Sequence, residues 1–174
     1  MKKCLILMGM IAMAMSMLGD DDSRLERPDN QGFSHVWGEI TDGFCLSVCS
    51  TNAYVSAGHP VWVTVRVKNL SGEERRWVVT SPEKEYVFNV KDADGNDVPR
   101  LRYQLRLQED TEVPRRVVKA LAPNQMIEHE INLCRHFDFS LAGEYSLQAT
   151  RNTLNASGNG MVKLVSNIET ISIR

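Results

Sequence analysis

The stretch from Tyr54 to Asn69, Y-V-S-A-G-H-P-V-W-V-T-V-R-V-K-N, decides the fold class. Gly58 and Pro60 are turn residues. After them Val61, Val63, Val65 and Val67 alternate with Trp62, Thr64, Arg66 and Lys68. Successive side chains of a strand point to opposite faces. The pattern predicts a half-buried strand with its valines in a core and Trp62 and Arg66 on the other face.

The turn-then-strand pattern continues on both sides. Phe44, Leu46 and Val48 alternate with Cys45, Ser47 and Cys49. Leu70 to Glu74 is a polar connection, and a short strand from Arg76 to Thr80 is broken by Ser81-Pro82-Glu83. Tyr86, Phe88 and Val90 line one face of the next strand. Asp92 to Asp97 reads as a hairpin turn, because Asp, Asn and Gly favour left-handed turn conformations. Leu101, Tyr103, Leu105 and Leu107 alternate with Arg100, Arg102, Gln104 and Arg106, which predicts a strand with one apolar and one cationic face.

Val117 to Leu121 is a short strand ended by Ala122-Pro123-Asn124. Ile127, His129, Ile131 and Leu133 alternate with Glu128, Glu130 and Asn132. Cys134 to Leu141 lacks a period of two and is expected to make one helical turn that packs Phe137 and Phe139. Tyr145, Leu147 and Ala149 open another strand, and Asn152 to Gly160 is a loop. Met161 to Ile173 is the last strand or strand pair, with a slip near Ser166 of the kind a bulge causes. About eight short strands and almost no helix predict an all-β, antiparallel sandwich.

These residues carry a resemblance. Trp37-Gly38-Glu39 with Gly43, then Tyr54, Gly58, Pro60, the valine strand and Asn69, resembles the opening of secreted bacterial immunoglobulin-like sandwiches. Leu121-x-Pro123 and Leu141-Ala142-Gly143-Glu144-Tyr145 fit the same pattern, the latter looking like a tyrosine corner. The arrangement is also similar to the BsuPI-type proteinase inhibitor domain. The resemblance implies an immunoglobulin-like fold over residues 37–174 and assigns no activity.

The N-terminus sets the expected compartment. Met1-Lys2-Lys3 is a short basic region, and Cys4 to Met17 is an apolar run too short for a stable span, which needs roughly 20 residues. It reads as a signal peptide over residues 1–19, with cleavage after Ser16 or Gly19. Residues 20–36 are polar and read as a flexible lead-in. The expected chain is therefore exported, periplasmic or extracellular, with no transmembrane segment after cleavage. Its net charge of -2 offers no footprint for nucleic acid or for an anionic membrane surface.

Three cysteines follow the leader. Cys45 and Cys49 share one strand, where their Cα atoms would stand about 13 Å apart, beyond disulfide reach. A disulfide is open to Cys134 with Cys45 or with Cys49, leaving an odd thiol. The same distance argues against zinc at Cys45, Cys49, Cys134 and His136. The acidic run Asp92 to Asp97 departs from a calcium loop, because Gly95 stands fourth and Tyr103 twelfth. It is better explained as a turn, with weak surface calcium binding at most.

No catalytic motif is present: G-x-S-x-G, H-E-x-x-H and the phosphate-binding loop are all missing. His129, on an apolar face, is more simply a core histidine bonded to backbone than a general base. Neither a cofactor nor a metal is expected. The remaining candidates are surface residues. Trp62 suits an interface or a sugar-stacking anchor, or is covered by the lead-in. Arg66, Arg102 and Arg106, with Arg100, Arg115 and Arg116, suit an acidic partner or protection of a sheet edge. The sequence thus leads to the expectation of a non-catalytic binding module for another envelope or extracellular protein, with Trp62, Arg66, Arg102 and Arg106 as its site. A proteinase inhibitor using the loop Glu109 to Pro114 or Asn152 to Gly160, and a carbohydrate-binding module using Trp62 and Trp37, are the alternatives.

Overall fold

The computed structural model of the chain describes residues 36–103, 106 and 117–174. The expected leader, the lead-in up to residue 35, Arg115, Arg116 and the loop Glu109 to Pro114 lie outside those residues. The described strands are β1 (Phe44–Ser50), β2 (Trp62–Asn69), β3 (Arg75–Val79), β4 (Val87–Lys91), β5 (Val117–Leu121), β6 (Met126–Asn132), β7 (Gly143–Leu154) and β8 (Met161–Ile173). A helical turn, α1 (Pro82–Glu85), and a 3-10 turn at Leu133–Arg135 lie between strands.

Two three-stranded sheets, β1-β2-β6 and β4-β7-β8, face each other, and β3 pairs with β5 as a ribbon. Every ladder is antiparallel. The valine stretch does what its alternation demands. Val63, Val65 and Val67 are buried, and so are Leu46 and Val48 on the neighbouring strand. They meet Leu147, Ala149, Leu164 and Ile171 from the opposite sheet in one apolar cluster. Burial of each such side chain contributes roughly 1.5–3 kcal/mol.

The topology is immunoglobulin-like. Beyond β1 the chain crosses to the other sheet, where Val55 forms a parallel bridge with Ile173. At the start of β7 the Tyr145 hydroxyl donates to the Leu141 carbonyl at 2.8 Å, which is the tyrosine corner the sequence suggested. Phe137 and Phe139 are buried beside the 3-10 turn, as expected. The slip near Ser166 is real: the β7–β8 register shifts between Gln148 and Thr150, and the Ala149 amide donates to the Ser166 hydroxyl at 2.9 Å.

Buried polar groups hold the bends. Asn69 is fully buried where the β2–β6 ladder gives way to the β3–β5 ribbon. Its amide donates to the carbonyls of Glu73 (2.8 Å) and Leu121 (2.9 Å) and accepts from the Ser71 backbone and hydroxyl. One side chain therefore ties both strands at the kink, with all its hydrogen-bonding capacity used.

The free edge of β1 is closed against β8. Gly38 N–H donates to the Leu46 carbonyl at 2.9 Å. The Asn167 side chain bonds Val48, and the Ser50 amide donates to Glu169 Oε1 at 2.9 Å. Gly38 sits so close to β8 that a Cβ there would lie 2.0 Å from the Val165 carbonyl oxygen.

Three expectations are corrected. The strand expected from Leu101 to Leu107 is not seen at its described residues: Arg102, Tyr103 and Arg106 are helical. Leu, Arg and Gln are good helix formers, so alternation alone misled. The disulfide left open for Cys134 is not formed either, because Cys45, Cys49 and Cys134 are all free thiols. Cys134 lies in the 3-10 turn, where its sulfur accepts the Val61 amide just ahead of β2 at 3.3 Å, whereas Cys49 pairs across β1–β2 with Thr64. The loop at Asn152 to Gly160 is shorter than expected, since Asn152 to Leu154 belong to β7.

Candidate functional site

The outer face of β1-β2-β6 carries Trp62 and Arg66, four residues apart on β2. Trp62 is 42 % exposed at the end of the strand. Arg66 is not a free cation. Its Nε donates to Glu128 Oε2 at 2.5 Å and its Nη1 to the Cys49 sulfur at 3.1 Å. Both partners follow from register, because Arg66 lies opposite Glu128 on β6 and Cys49 is on the adjacent strand. Burial opposes the guanidinium charge, but the Glu128 carboxylate and Cys49 more than offset it and raise the Arg66 pKa. Further along, Thr64 and Ser47 are buried, and the Ser47 hydroxyl donates to the Val36 carbonyl at 2.7 Å. Thus the chain near Val36 covers part of this face and leaves the Trp62 end open.

Arg102 and Arg106 are exposed and stand on a segment outside the sheets. Tyr103 anchors their segment. Its hydroxyl donates to the Glu83 carboxylate on α1, its ring lies under the Arg135 guanidinium at 4.5 Å, and His136 meets it edge-on at 5.5 Å. The hydrogen bond to Glu83, with burial adding to it, raises the Tyr103 pKa. Trp62 and Arg66 share one face of β2, whereas Arg102 and Arg106 stand on the segment that Tyr103 anchors.

One buried ion pair was not singled out from sequence. Arg151 on β7 and Glu85 on α1 form an ion pair at 2.5 Å, with side chains only 4 % and 3 % exposed. Arg151 also donates to the Val78 carbonyl and to the Tyr86 hydroxyl, and its guanidinium stacks 3.9 Å over Trp77. The Tyr86 hydroxyl in turn bonds His129 Nδ1 at 3.0 Å. The partner of His129 is thus a side chain, where a backbone group was expected. Continuing the inward register of Tyr145, Leu147 and Ala149 by one step reaches Arg151, and a charge at an inward position demands a partner.

Burial pushes the Tyr86 hydroxyl up to about 12, against the pull of Arg151. Burial lowers the His129 pKa; Arg151 and Lys119 act in the same direction and Glu85 opposes them. Glu85 and Arg151 are sealed from solvent and held by each other. Their arrangement cross-links β7, α1 and β3.

The hairpin at Asp92 is also self-contained. Its carboxylate accepts from the amides of Asn96 (2.8 Å) and Asp94 (3.0 Å) and from Asn96 Nδ2 (3.2 Å). The Asn96 bonds lower its pKa. Among the described residues no group of three His, Cys, Asp or Glu side chains is placed to hold a metal ion. No described helix is long and apolar enough to cross a membrane.

No protein family matches the chain, and no curated protein does. Several solved structures share parts of its architecture. The C-terminal domain of wzt aligns at 11 % identity and TM-score 0.47, over 81 % of this chain and 78 % of that one. The Northeast Structural Genomics Consortium target SoR45 aligns at 9 % identity and TM-score 0.46, over 78 % and 90 %. The PapD-like domain 7 of human CEP192 aligns at 10 % identity and TM-score 0.37, over 81 % and 94 %. At these scores none of the three bears on activity.

Proposed function

We propose that this chain is an exported, non-catalytic binding module whose contact surface centres on Trp62. The observation that carries the reading is an exposed indole on a sheet face whose arginine, four residues along the same strand, is fixed by Glu128 and Cys49. Exposed tryptophans on rigid elements serve as anchors at interfaces, because they bury much area at little entropic cost. Arg66 supports the surface by holding its shape. The partner is another envelope or extracellular protein. Arg102 and Arg106 stand exposed on a separate segment.

The test is cross-linking of the protein in envelope extract from its own cells, with captured species identified by mass spectrometry. Trp62→Ala should lose the enriched partner while leaving the thermal midpoint nearly unchanged. Retention of the same partner by Trp62→Ala defeats the reading. The resemblance to a BsuPI-type inhibitor is the weaker alternative. Inhibition asks for an extended exposed loop, and the β7–β8 loop instead folds back on itself, with the Asn155 side chain accepting from the amides of Asn159 and Gly160.

A further inference from the structure

A cleft of about 300 Å³ opens beside the outer edge of β4, lined by Phe88, Val90, Val98, Pro99, Arg100 and Phe137. Its origin lies in the sequence. The Asp92–Asp97 hairpin folds the chain back along β4, with Asp92 N–H donating to Asn96 O at 2.9 Å and Val98 N–H to Val90 O at 3.0 Å. That register would place residue 100 opposite Phe88. Pro99 has no N–H to extend the ladder. The chain instead turns away. Arg100 bridges to Phe137, Leu101 N–H donates to His136 O at 2.8 Å, and Asp138 N–H donates to Pro99 O at 3.1 Å.

The consequence, among the described residues, is a length of sheet edge without a strand partner beside a cleft. In an antiparallel strand alternate residues direct their N–H and C=O to opposite edges. Val90 directs its carbonyl away from β7, towards Val98, so Phe88 faces the same way. Phe88 has no strand partner on that edge among the described residues. Its side chain is buried, so the backbone at this edge is held firmly in place. Arg100 stands exposed on the wall and makes no ion pair among the described residues. Asp97, the nearby carboxylate, is taken by Lys91 at 3.5 Å.

We propose that this cleft binds an extended peptide segment of a partner protein, which adds a short strand to the β4 edge at Phe88 and sets a carboxylate against Arg100. Main-chain bonds to an exposed edge supply affinity, and alternate side chains supply specificity. The charge favours an acidic segment over a second copy of this cleft, whose Arg100 would meet Arg100. The surface is distinct from Trp62, which lies on the other sheet. The proposal therefore stands or falls independently of the reading above.

The test uses the protein as its own cells process it and a displayed library of random octapeptides. Peptides enriched on the wild type should carry an acidic residue flanked by β-branched ones. Their amide-shift footprint should include Phe88, Val98 and Arg100. Binding should fall at least about tenfold in Arg100→Glu, which is exposed and should keep its thermal midpoint. Methylating the backbone nitrogens of a selected peptide should abolish binding, and Trp62→Ala should leave it unchanged. No enrichment, enriched peptides indifferent to Arg100→Glu, or a footprint elsewhere would each overturn the proposal.

Discussion

Asn167 meets Val48 as a neighbouring strand would. The Val48 amide donates to Asn167 Oδ1 at 2.9 Å, and Asn167 Nδ2 donates back to the Val48 carbonyl at 2.9 Å. The side-chain amide is a peptide group in miniature, and the bulge at Ser166 is what aims it at β1. A side chain thus replaces backbone pairing at the point where the two sheets come together.

Asn167→Ala removes both bonds and leaves a backbone donor and acceptor at a partly buried seam. The expected loss is about 1–3 kcal/mol, measured by urea unfolding. The Val48 amide should exchange faster in the variant. Asn167→Asp keeps the acceptor and loses the donor, so it should fall between wild type and alanine.

Gly38→Ala forces a methyl group against backbone, at 2.0 Å from the Val165 oxygen. Backbone cannot move aside as the tip of a flexible side chain does. The substitution should cost about 1–3 kcal/mol, typical of overpacking, and should expose the chain near Val36 to limited proteolysis.

Glu85→Gln leaves the buried Arg151 guanidinium without its counter-charge. The expected cost is about 3–5 kcal/mol, as for breaking one side of a buried pair. The double variant Glu85→Leu, Arg151→Met should recover most of it, because it removes both charges together. Equal losses in the single and double variants would mean that packing against Trp77, and not the ion pair, dominates.

Stability should vary with pH at both extremes, with signs set by which state binds more protons. The folded pKa of His129 lies below its ordinary 6.5. The unfolded chain therefore takes up the proton first, and stability should fall as pH drops below about 6.5. His136, lowered by burial, acts in the same direction. Tyr86 is the opposite case. Its folded value near 12 lies above the ordinary 10.0, so the unfolded chain loses its proton first and stability should fall as pH rises above 10.0. His129→Gln should flatten the acid limb of a urea-midpoint titration, and Tyr86→Phe the alkaline limb.

Strand positions were legible in the sequence because alternation reports one thing, which side of a strand meets the core. Val61 to Lys68 and Tyr145 to Ala149 read directly. Leu101 to Leu107 did not, because its alternation has no sheet to join once Pro99 ends the ladder and Arg100 pairs with Phe137. The candidate surface was half legible. Face assignment placed Trp62 outward, but the partners of Arg66 depend on register with β1 and β6, which one strand's sequence does not contain. The Glu85–Arg151 pair joins residues 66 apart, and only the inward position of Arg151 hints at it.

The seam between β1 and β8 also bears on how the chain reaches its native state. Asn167 and Val48 are separated by 119 residues, so their contact closes one of the longest loops in the described fold. Long-range pairing of this kind is slow, because the ordering entropy is lost before the contact compensates for it. Until that closure the edge of β1 stands open, and an open edge is a template for another chain. Closure of the seam and association of unfinished molecules are therefore competing rates, and the yield of monomer on refolding should fall with protein concentration.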